Sequence, residues 1–335
     1  MLALKPSLSL EANVTRAAWF RLTLLVLASG FAATTALAQT MPSLIKIVVP
    51  FSAGGSNDII ARAIAEPLGR RLGVSVIVDN KAGAAGVIGS DVVAKSPHDG
   101  SVLLLTSSSF LTAAATQPHL PYDPIAAFAP VAMIGRGPML LAVPGDMPFK
   151  SPADIVEAAR AKPGALNYGT AGVGSIAHLA TELFDDVAGI RMTHVPYKGA
   201  SSSALDLAAD RIQVMISNYS TIAPLMSNGK IRAIAVTSAK PQPAFPGLPP
   251  LSAAAPGFDV DIWVGVFAPA GTPAALVDRL NREINAIAAS PDLKPVLEPD
   301  GTLPTAITPS AFATQIRDEL VQWKRIAAEH KIVAE

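Results

Sequence analysis

The chain has 335 residues, half of them hydrophobic, and its 26 lysines and arginines balance 26 aspartates and glutamates. This composition argues against intrinsic disorder, which combines low hydrophobicity with high net charge, and against a nucleic-acid-binding protein, which needs a basic face. Because the sequence contains no cysteine, it has no disulfides and no thiolate metal site, and its length predicts two domains.

The first 38 residues have the pattern of a secretory signal peptide. Arg16 and Arg21 precede an apolar stretch, residues 22–38, which ends in an A-x-A motif typical of cleavage sites. A membrane anchor is the alternative, but this stretch falls short of the ~20 apolar residues that a spanning helix needs. We expect cleavage after Ala38 and export, which means the periplasm in a Gram-negative source.

Short apolar runs and helical spacings alternate after this segment. Residues 45–51 form a β-branched apolar run typical of a buried strand, and residues 58–72 carry apolar side chains at helical spacing. The same criteria predict strands over 74–79 and 101–106 and a helix over 87–94. The order strand–helix–strand–helix–strand predicts a largely parallel sheet with helices on both faces.

A second series of the same kind follows, between proline-rich stretches at 117–130 and 241–250. Its predicted strands are 139–143, 165–170, 192–197, 213–218 and 231–237. Its predicted helices are 152–161, 175–187 and 203–209.

The last third of the chain returns to the first unit. We expect a strand over 262–268, a helix that Pro273 opens, and an amphipathic helix over about 309–330 whose apolar stripe packs on the core. The pattern therefore predicts an inserted domain. The predicted boundaries are 39–125 and 241–335 for lobe 1, and 126–240 for lobe 2.

Two glycine-rich loops each connect a strand to a helix, the first at residues 51–58 and the second at residues 169–175. Glycine permits a close backbone approach, and the start of a helix presents unpaired N–H groups and a positive dipole end. In open α/β sheets, ligands bind beyond the carboxyl ends of the strands. We therefore expect the two loops to face each other across a cleft that holds an anion.

Two enzymatic interpretations compete with a binding protein. Gly172, Gly174 and Ala177 fit a dinucleotide-binding fingerprint, but the next predicted strand lacks the acid that would bind the ribose. Ser175 and His178 lie one helical turn apart, so an exported hydrolase that uses this pair is an alternative. The chain has no G-x-S-x-G elbow, H-E-x-x-H motif or P-loop.

Several motifs occur in the same order as in a known family. They include IKIVVPFSAGGSNDIIAR at 45–62, VIVDNKAGAAGVIG at 76–89, KPGALNYGTAGVGSIAHLA at 162–180, HVPYKG at 194–199 and WVGVFAPAGTP at 263–273. Across essentially the whole mature chain, the sequence resembles the Bug family of extracytoplasmic solute receptors, the substrate-binding proteins of tripartite tricarboxylate transporters.

The resemblance implies a Venus-flytrap fold of two α/β lobes, like that of type II periplasmic binding proteins, and a ligand that bears a carboxylate. It implies a receptor and not an enzyme, with no cofactor and no metal. The expected partners are a small organic acid or amino acid and the membrane subunits of a tripartite tricarboxylate transporter. A shuttling receptor is expected to be a monomer. An orphan sensor that signals to a membrane kinase is a further alternative.

The two loops and the resemblance together suggest the ligand-binding residues. They are Phe51, Ala53, Gly54, Gly55, Ser56, Asn57, Asp58, Ser107, Ser108, Thr170, Gly172, Gly174, Ser175, Tyr197, Lys198, Gly199, Ala200 and Asn218. The sequence departs from the family's common pattern at Ala53, where proline is usual, at Ser56-Asn57, where glycine-threonine is usual, and at Asn218, which replaces an acid. These departures alter positions that line the pocket, so they leave the identity of the ligand open.

Overall fold

The computed structural model describes residues 41–333. The predicted signal peptide and its cleavage site after Ala38 lie outside the described residues. Strands and helices alternate along the described chain, and the strands form two separate sheets.

The strands in chain order are β1 (Leu44–Val49), β2 (Ser75–Asn80), β3 (Val102–Ser107), β4 (Phe128–Pro138), β5 (Leu140–Pro144), β6 (Asn167–Thr170), β7 (Thr193–Pro196), β8 (Val214–Ser217), β9 (Ile231–Val236), β10 (Asp261–Pro269) and β11 (Leu303–Pro304). The α-helices are α1 (Ser56–Leu72), α2 (Val87–Ala94), α3 (Ser109–Thr116), α4 (Pro152–Ala161), α5 (Ile176–Ala188), α6 (Ala200–Ala208), α7 (Tyr219–Ser227), α8 (Ala274–Ala288), α9 (Lys294–Leu297) and α10 (Pro309–Glu329). Within residues 41–333, no helix is both long enough and apolar enough to cross a membrane.

Each sheet mixes parallel and antiparallel strands, so the prediction of a largely parallel sheet is wrong. The sheet of lobe 1 has the order β11-β4-β10-β3-β1-β2, in which β1 runs parallel to β2 and β3 while β10 runs antiparallel to β3 and β4. The sheet of lobe 2 has the order β7-β6-β8-β5-β9, in which β5 runs antiparallel to both of its neighbours. The predicted α/β class and two-lobe Venus-flytrap fold are confirmed.

The chain crosses between the lobes at two adjacent points. The first crossing is Met139, between β4 and β5, and the second leaves β9 at Thr237. The Met139 N–H donates to Thr237 Oγ1 at 2.8 Å, and the Thr237 N–H donates to the Met139 carbonyl at 2.9 Å. The Val260 N–H then donates to the Thr237 carbonyl at 3.1 Å, immediately before β10 begins. These bonds hold the connecting segments side by side, an arrangement suited to a hinge.

The first crossing lies later in the chain than the boundary expected at 125/126. The proline-rich stretch at 117–130 leads into β4, which pairs with β10 over nine residue positions in the sheet of lobe 1. Strand β4 was not predicted because it contains Pro130, Gly135 and Gly137, which are typical of turns. A Cβ atom on Gly135 would lie 2.7 Å from the Leu303 carbonyl oxygen, so glycine allows β11 to approach β4.

Candidate ligand-binding site

A cavity lies between the lobes, at the carboxyl ends of strands from both sheets. Its empty volume is about 500 Å³, including its opening to solvent. The starts of α1, α3, α5, α6 and α7 line this cavity. The lining residues are Phe51, Gly55, Ser56, Asn57, Asp58, Ser107, Ser109, Met139, Ala171, Ser175, Ile176, Ala177, Ala200, Ile216, Ser217, Asn218, Thr221 and Ile262.

The first loop is organised around the carboxylate of Asp58, which is buried. Asp58 Oδ2 accepts from the Gly54 N–H at 2.9 Å and from Arg62 Nε at 3.0 Å, and Oδ1 accepts from Asn80 Nδ2 at 3.0 Å. Asn80 Nδ2 also donates to the Phe51 carbonyl at 3.1 Å. Burial raises the pKa of Asp58, but the hydrogen bonds from Arg62, Gly54 and Asn80 outweigh burial and lower it overall. The carboxylate is therefore ionised and already neutralised by its neighbours.

This network positions the first turn of α1 at the cavity. Gly54 has φ +80°, a conformation that favours glycine. The Ser56 N–H donates to Thr221 Oγ1 of α7 at 2.9 Å. Among residues 41–333, the Asn57 N–H has no hydrogen-bond acceptor, as expected for a first-turn donor of a helix. That N–H and the Asn57 side chain are available to a ligand.

The second loop is held by its own residues and by the start of α5. The Gly172 N–H donates to Thr170 Oγ1 at 3.1 Å. The Gly174 N–H donates to His178 Nδ1 at 3.2 Å. Ser175 Oγ accepts the backbone N–H of His178 at 3.3 Å and so caps the helix. The hydroxyl and the imidazole each bond to a backbone N–H, and the described residues show no hydrogen bond between the two side chains, which the hydrolase interpretation requires.

Histidines beneath the second loop are stacked and neutral. The rings of His178 and His194 have centroids 4.2 Å apart, and His194 Nε2 lies 2.7 Å from Thr170 Oγ1. Burial lowers the pKa of His178, with the charge of Glu182 opposing it. Burial and the neighbouring His178 lower the pKa of His194 to about 3. A neutral His178 keeps the Nδ1 lone pair that accepts the Gly174 N–H.

Direct hydrogen bonds join the two lobes around the cavity. Thr112 Oγ1 of lobe 1 donates to the Gly174 carbonyl of lobe 2 at 2.9 Å. Ser201 Oγ of lobe 2 donates to the Ala53 carbonyl of lobe 1 at 2.9 Å. The buried carboxylate of Asp300 accepts from Ser56 Oγ at 3.2 Å and from Ser220 Oγ at 2.8 Å, which links the starts of α1 and α7. The structure is therefore in a closed conformation.

Three of the predicted glycines of lobe 2 contact lobe 1. A Cβ atom on Gly172 would lie 3.0 Å from the Ala85 nitrogen, and one on Gly174 would lie 2.9 Å from Thr116 Oγ1. A Cβ atom on Gly199 would lie 2.8 Å from the Ser52 nitrogen. These glycines allow the two backbones to approach when the lobes close.

Half of the predicted ligand-binding residues line the enclosed cavity. They are Phe51, Gly55, Ser56, Asn57, Asp58, Ser107, Ser175, Ala200 and Asn218.

The other predicted residues lie outside the lining of the enclosed cavity. Ser108 Oγ accepts the Trp263 N–H at 3.0 Å, so this hydroxyl is committed to the sheet of lobe 1. Thr170 is committed to Gly172 and His194. Gly54, Ala53, Gly174 and Gly199 take part in the loop or closure contacts described above. Gly172, Tyr197 and Lys198 line a second, more open depression beside Ser52 and Ala84.

Several lining residues were not predicted from the sequence. Ser217 is the most informative, because its hydroxyl oxygen is buried and has no hydrogen-bond partner among the described residues. It is the last residue of β8, just before α7, and α7 was not predicted because Pro224 interrupts its pattern. The other missed lining residues are Met139, Ile176, Ala177, Ile216, Thr221 and Ile262, whereas Ala171 belongs to the predicted second loop and Ser109 directly follows the predicted Ser107 and Ser108.

The lining offers hydrogen-bond donors without cationic side chains. No lysine, arginine or histidine lines the enclosed cavity, and within residues 41–333 no group of three or more histidine, aspartate and glutamate side chains could hold a metal. The donors are hydroxyls, amides and helix starts. An anion is therefore the ligand that this arrangement favours, since helix N-termini stabilise negative charge.

Comparison with known proteins places the chain in a family. Residues 60–332 match the family model described as tripartite tricarboxylate transporter family receptor. The chain belongs to this family. This membership confirms the predicted family resemblance and the prediction of a solute-binding receptor, not an enzyme.

Relatives cover most of the chain. A UPF0065 protein from the tcbD-tcbE intergenic region of Pseudomonas sp. strain P51 is 38% identical over 86% of this chain and 86% of its own length. BugT of Bordetella pertussis is 34% identical over 90% of this chain and 93% of its own length. The solved structure of R. palustris Rpa4515 with adipate is 36% identical, covers 87% of this chain and 98% of its own, and has a TM-score of 0.82.

Proposed function

We propose that this receptor binds a small organic carboxylate in the enclosed cavity between its lobes. The observation that carries the proposal is the convergence of helix starts on a cavity whose one ionisable lining residue, Asp58, is already neutralised by Arg62, Asn80 and the Gly54 N–H. The adipate bound to the R. palustris relative supports the same ligand class.

Neutral donors would hold the carboxylate in this proposal. The side chains of Asn57, Ser107, Ser217 and Asn218 and the N–H of Ala177 line the cavity, and these donors form no other hydrogen bond within the described residues. A hydrogen bond to a charged group contributes about 1.5–3 kcal/mol, and micromolar affinity requires about −8 kcal/mol. Four to six such bonds would supply that affinity after the costs of ordering and closure, as an order-of-magnitude estimate.

The location, the partner and the oligomeric state of this receptor are also proposals. The basic and apolar start of the sequence supports export to the periplasm with cleavage after Ala38. Family membership supports delivery of the ligand to the membrane subunits of a tripartite tricarboxylate transporter. We propose that the receptor shuttles as a monomer.

Binding of carboxylates to matched variants tests the site. The purified protein, freed of bound ligand by unfolding and refolding, is screened by thermal shift with mono- and dicarboxylates and amino acids. A ligand at 100 times its Kd adds about 2.7 kcal/mol of stability. Calorimetry then measures the affinity of the best acid for two variants, Ser217→Ala and Ser203→Ala.

These serines form a matched pair. Both hydroxyls are buried and lack a partner among the described residues, but only Ser217 lines the cavity. We expect Ser217→Ala to weaken binding about tenfold, whereas Ser203→Ala leaves the affinity unchanged. A well-folded protein that binds none of the acids, or equal effects of the two substitutions, would contradict the proposed site.

A further inference from the structure

One wall of the cavity is formed by apolar side chains. Met139, Ile176, Ile216 and Ile262 all line the cavity and all belong to a single hydrophobic cluster. Each is at most 6% exposed. Ile216 pairs with Leu141 and Ile262 pairs with Gly137, so both lie beside the first crossing of the chain at Met139.

Most backbone groups of these four residues are already paired within the protein. The Met139 N–H donates to Thr237 Oγ1 at 2.8 Å, and the Met139 carbonyl accepts from the Thr237 N–H at 2.9 Å. The Ile176 N–H donates to Ser109 Oγ at 3.1 Å. Ile216 pairs with Leu141 of β5, and Ile262 pairs with Gly137 of β4. A ligand atom that faces this wall therefore finds apolar contact in place of a hydrogen-bond partner.

Because the lining offers neutral hydrogen-bond donors and, beside them, this apolar wall, we infer that the ligand is a carboxylate with an unsubstituted hydrocarbon body. This inference rests on the proposed function, because it assumes that the carboxylate occupies the polar side of the cavity. A hydroxyl on the carbon body would lose its bonds to water against the apolar wall and gain nothing in return. The wall thus selects against hydroxylated acids.

Pairs of acids that differ by a hydroxyl test the inference. Calorimetry on the refolded protein compares butanoate with 3-hydroxybutanoate, succinate with malate, and glutarate with 2-hydroxyglutarate. In every pair with measurable binding, we expect the unsubstituted acid to bind at least tenfold tighter, equivalent to about 1.4 kcal/mol. Equal or tighter binding of the hydroxylated acids would overturn the inference while leaving the proposed function intact. If no acid bound, both would be overturned.

Two variants show whether the wall causes the preference. Ile262→Thr places a hydroxyl in the wall, and we expect the preference to fall to about threefold or less. Ile234→Thr is the control, because Ile234 belongs to the same cluster and is equally buried but lies outside the cavity lining. The preference is the ratio of two Kd values measured on the same variant, so a loss of protein stability that weakens the binding of both acids equally does not change it. A tenfold preference that persists in Ile262→Thr would overturn the role of the wall.

Discussion

The two glycine-rich loops resemble each other in sequence but differ in what holds them and in what they contact. In the first loop, Asp58 accepts hydrogen bonds from Gly54, Arg62 and Asn80, and the helix that follows begins at the cavity. The second loop contains no charged residue, and its glycines approach lobe 1.

The two loops therefore have different roles when the lobes close around a ligand. The first loop presents a rigid helix start to the ligand. The second loop supplies backbone that packs against the opposite lobe, where Thr112 Oγ1 donates to the Gly174 carbonyl. A pair of similar strand-to-helix loops thus combines ligand binding with closure, and variants of each loop should affect different measurements.

The largest effect is expected from Asp58→Ala in the first loop. The substitution leaves Arg62, Asn80 and the Gly54 N–H without their acceptor, so we expect the free energy of unfolding to fall by about 2–3 kcal/mol. Chemical denaturation measures this loss. Glu66→Ala is the matched control, since Glu66 also pairs with an arginine four residues later in α1 but both side chains are more than half exposed. It should cost about 0.5 kcal/mol or less, and equal losses would contradict the proposed role of Asp58.

Gly199→Ala tests closure by glycines. Its Cβ would lie 2.8 Å from both the nitrogen and the Cβ of Ser52, so the lobes cannot close fully without a shift. We expect about tenfold weaker binding of the best acid, with faster dissociation in stopped-flow experiments. Gly55→Ala provides the contrast in the first loop, because its Cβ would lie at an ordinary 3.6 Å from the Ser52 carbonyl oxygen. Unchanged affinity and dissociation rate in Gly199→Ala would contradict the role of this contact in closure.

Thr112→Val tests one hydrogen bond between the lobes. The isosteric change removes the donor to the Gly174 carbonyl, and one neutral hydrogen bond contributes about 1 kcal/mol, so we expect about fivefold weaker binding. Thr181→Val is the control, because the Thr181 hydroxyl donates to the Ala177 carbonyl within α5 and does not connect the two lobes. Calorimetry should find little change in the control. Closure does not depend on this contact if Thr112→Val binds as tightly as the wild type.

The smallest effect concerns pH and lobe 2. The pKa of His194 is lowered to about 3, whereas an unfolded histidine takes up a proton near 6.5. Between pH 3 and 6.5, the unfolded chain therefore binds more protons at this histidine than the folded protein does. The histidine's contribution to stability is present above pH 6.5 and is lost as the pH falls. Asp185 acts in the opposite sense, because burial raises its pKa to about 7.

His194→Phe keeps an aromatic ring against Tyr168 and His178 but removes this titration. Compared with the wild type, we expect the free energy of unfolding of the variant to rise at pH 5.5 relative to its value at pH 7.5. An identical pH dependence in the two proteins would show that the protonation of His194 does not contribute.

Local patterns predicted most of the elements near the first loop. The apolar run at 45–51 and the helical spacing at 58–72 correspond to β1 and α1, because both elements bury a regular set of side chains. Helices α3 and α7 were missed, since α3 has only two large apolar side chains, Phe110 and Leu111, to mark a helical face, and α7 contains Pro224. Both begin at the cavity, and the omission of α7 also hid Thr221.

The sequence by itself determined the α/β class, the two glycine-rich loops and the family resemblance, because each depends on patterns within short stretches of chain. The tertiary structure decided which residues reach the cavity and which close the lobes. Ser217 and Ile262 come from different sheets, and Gly199 meets Ser52 far away in the chain. Such contacts follow from the packing of one lobe against the other, which no local pattern encodes.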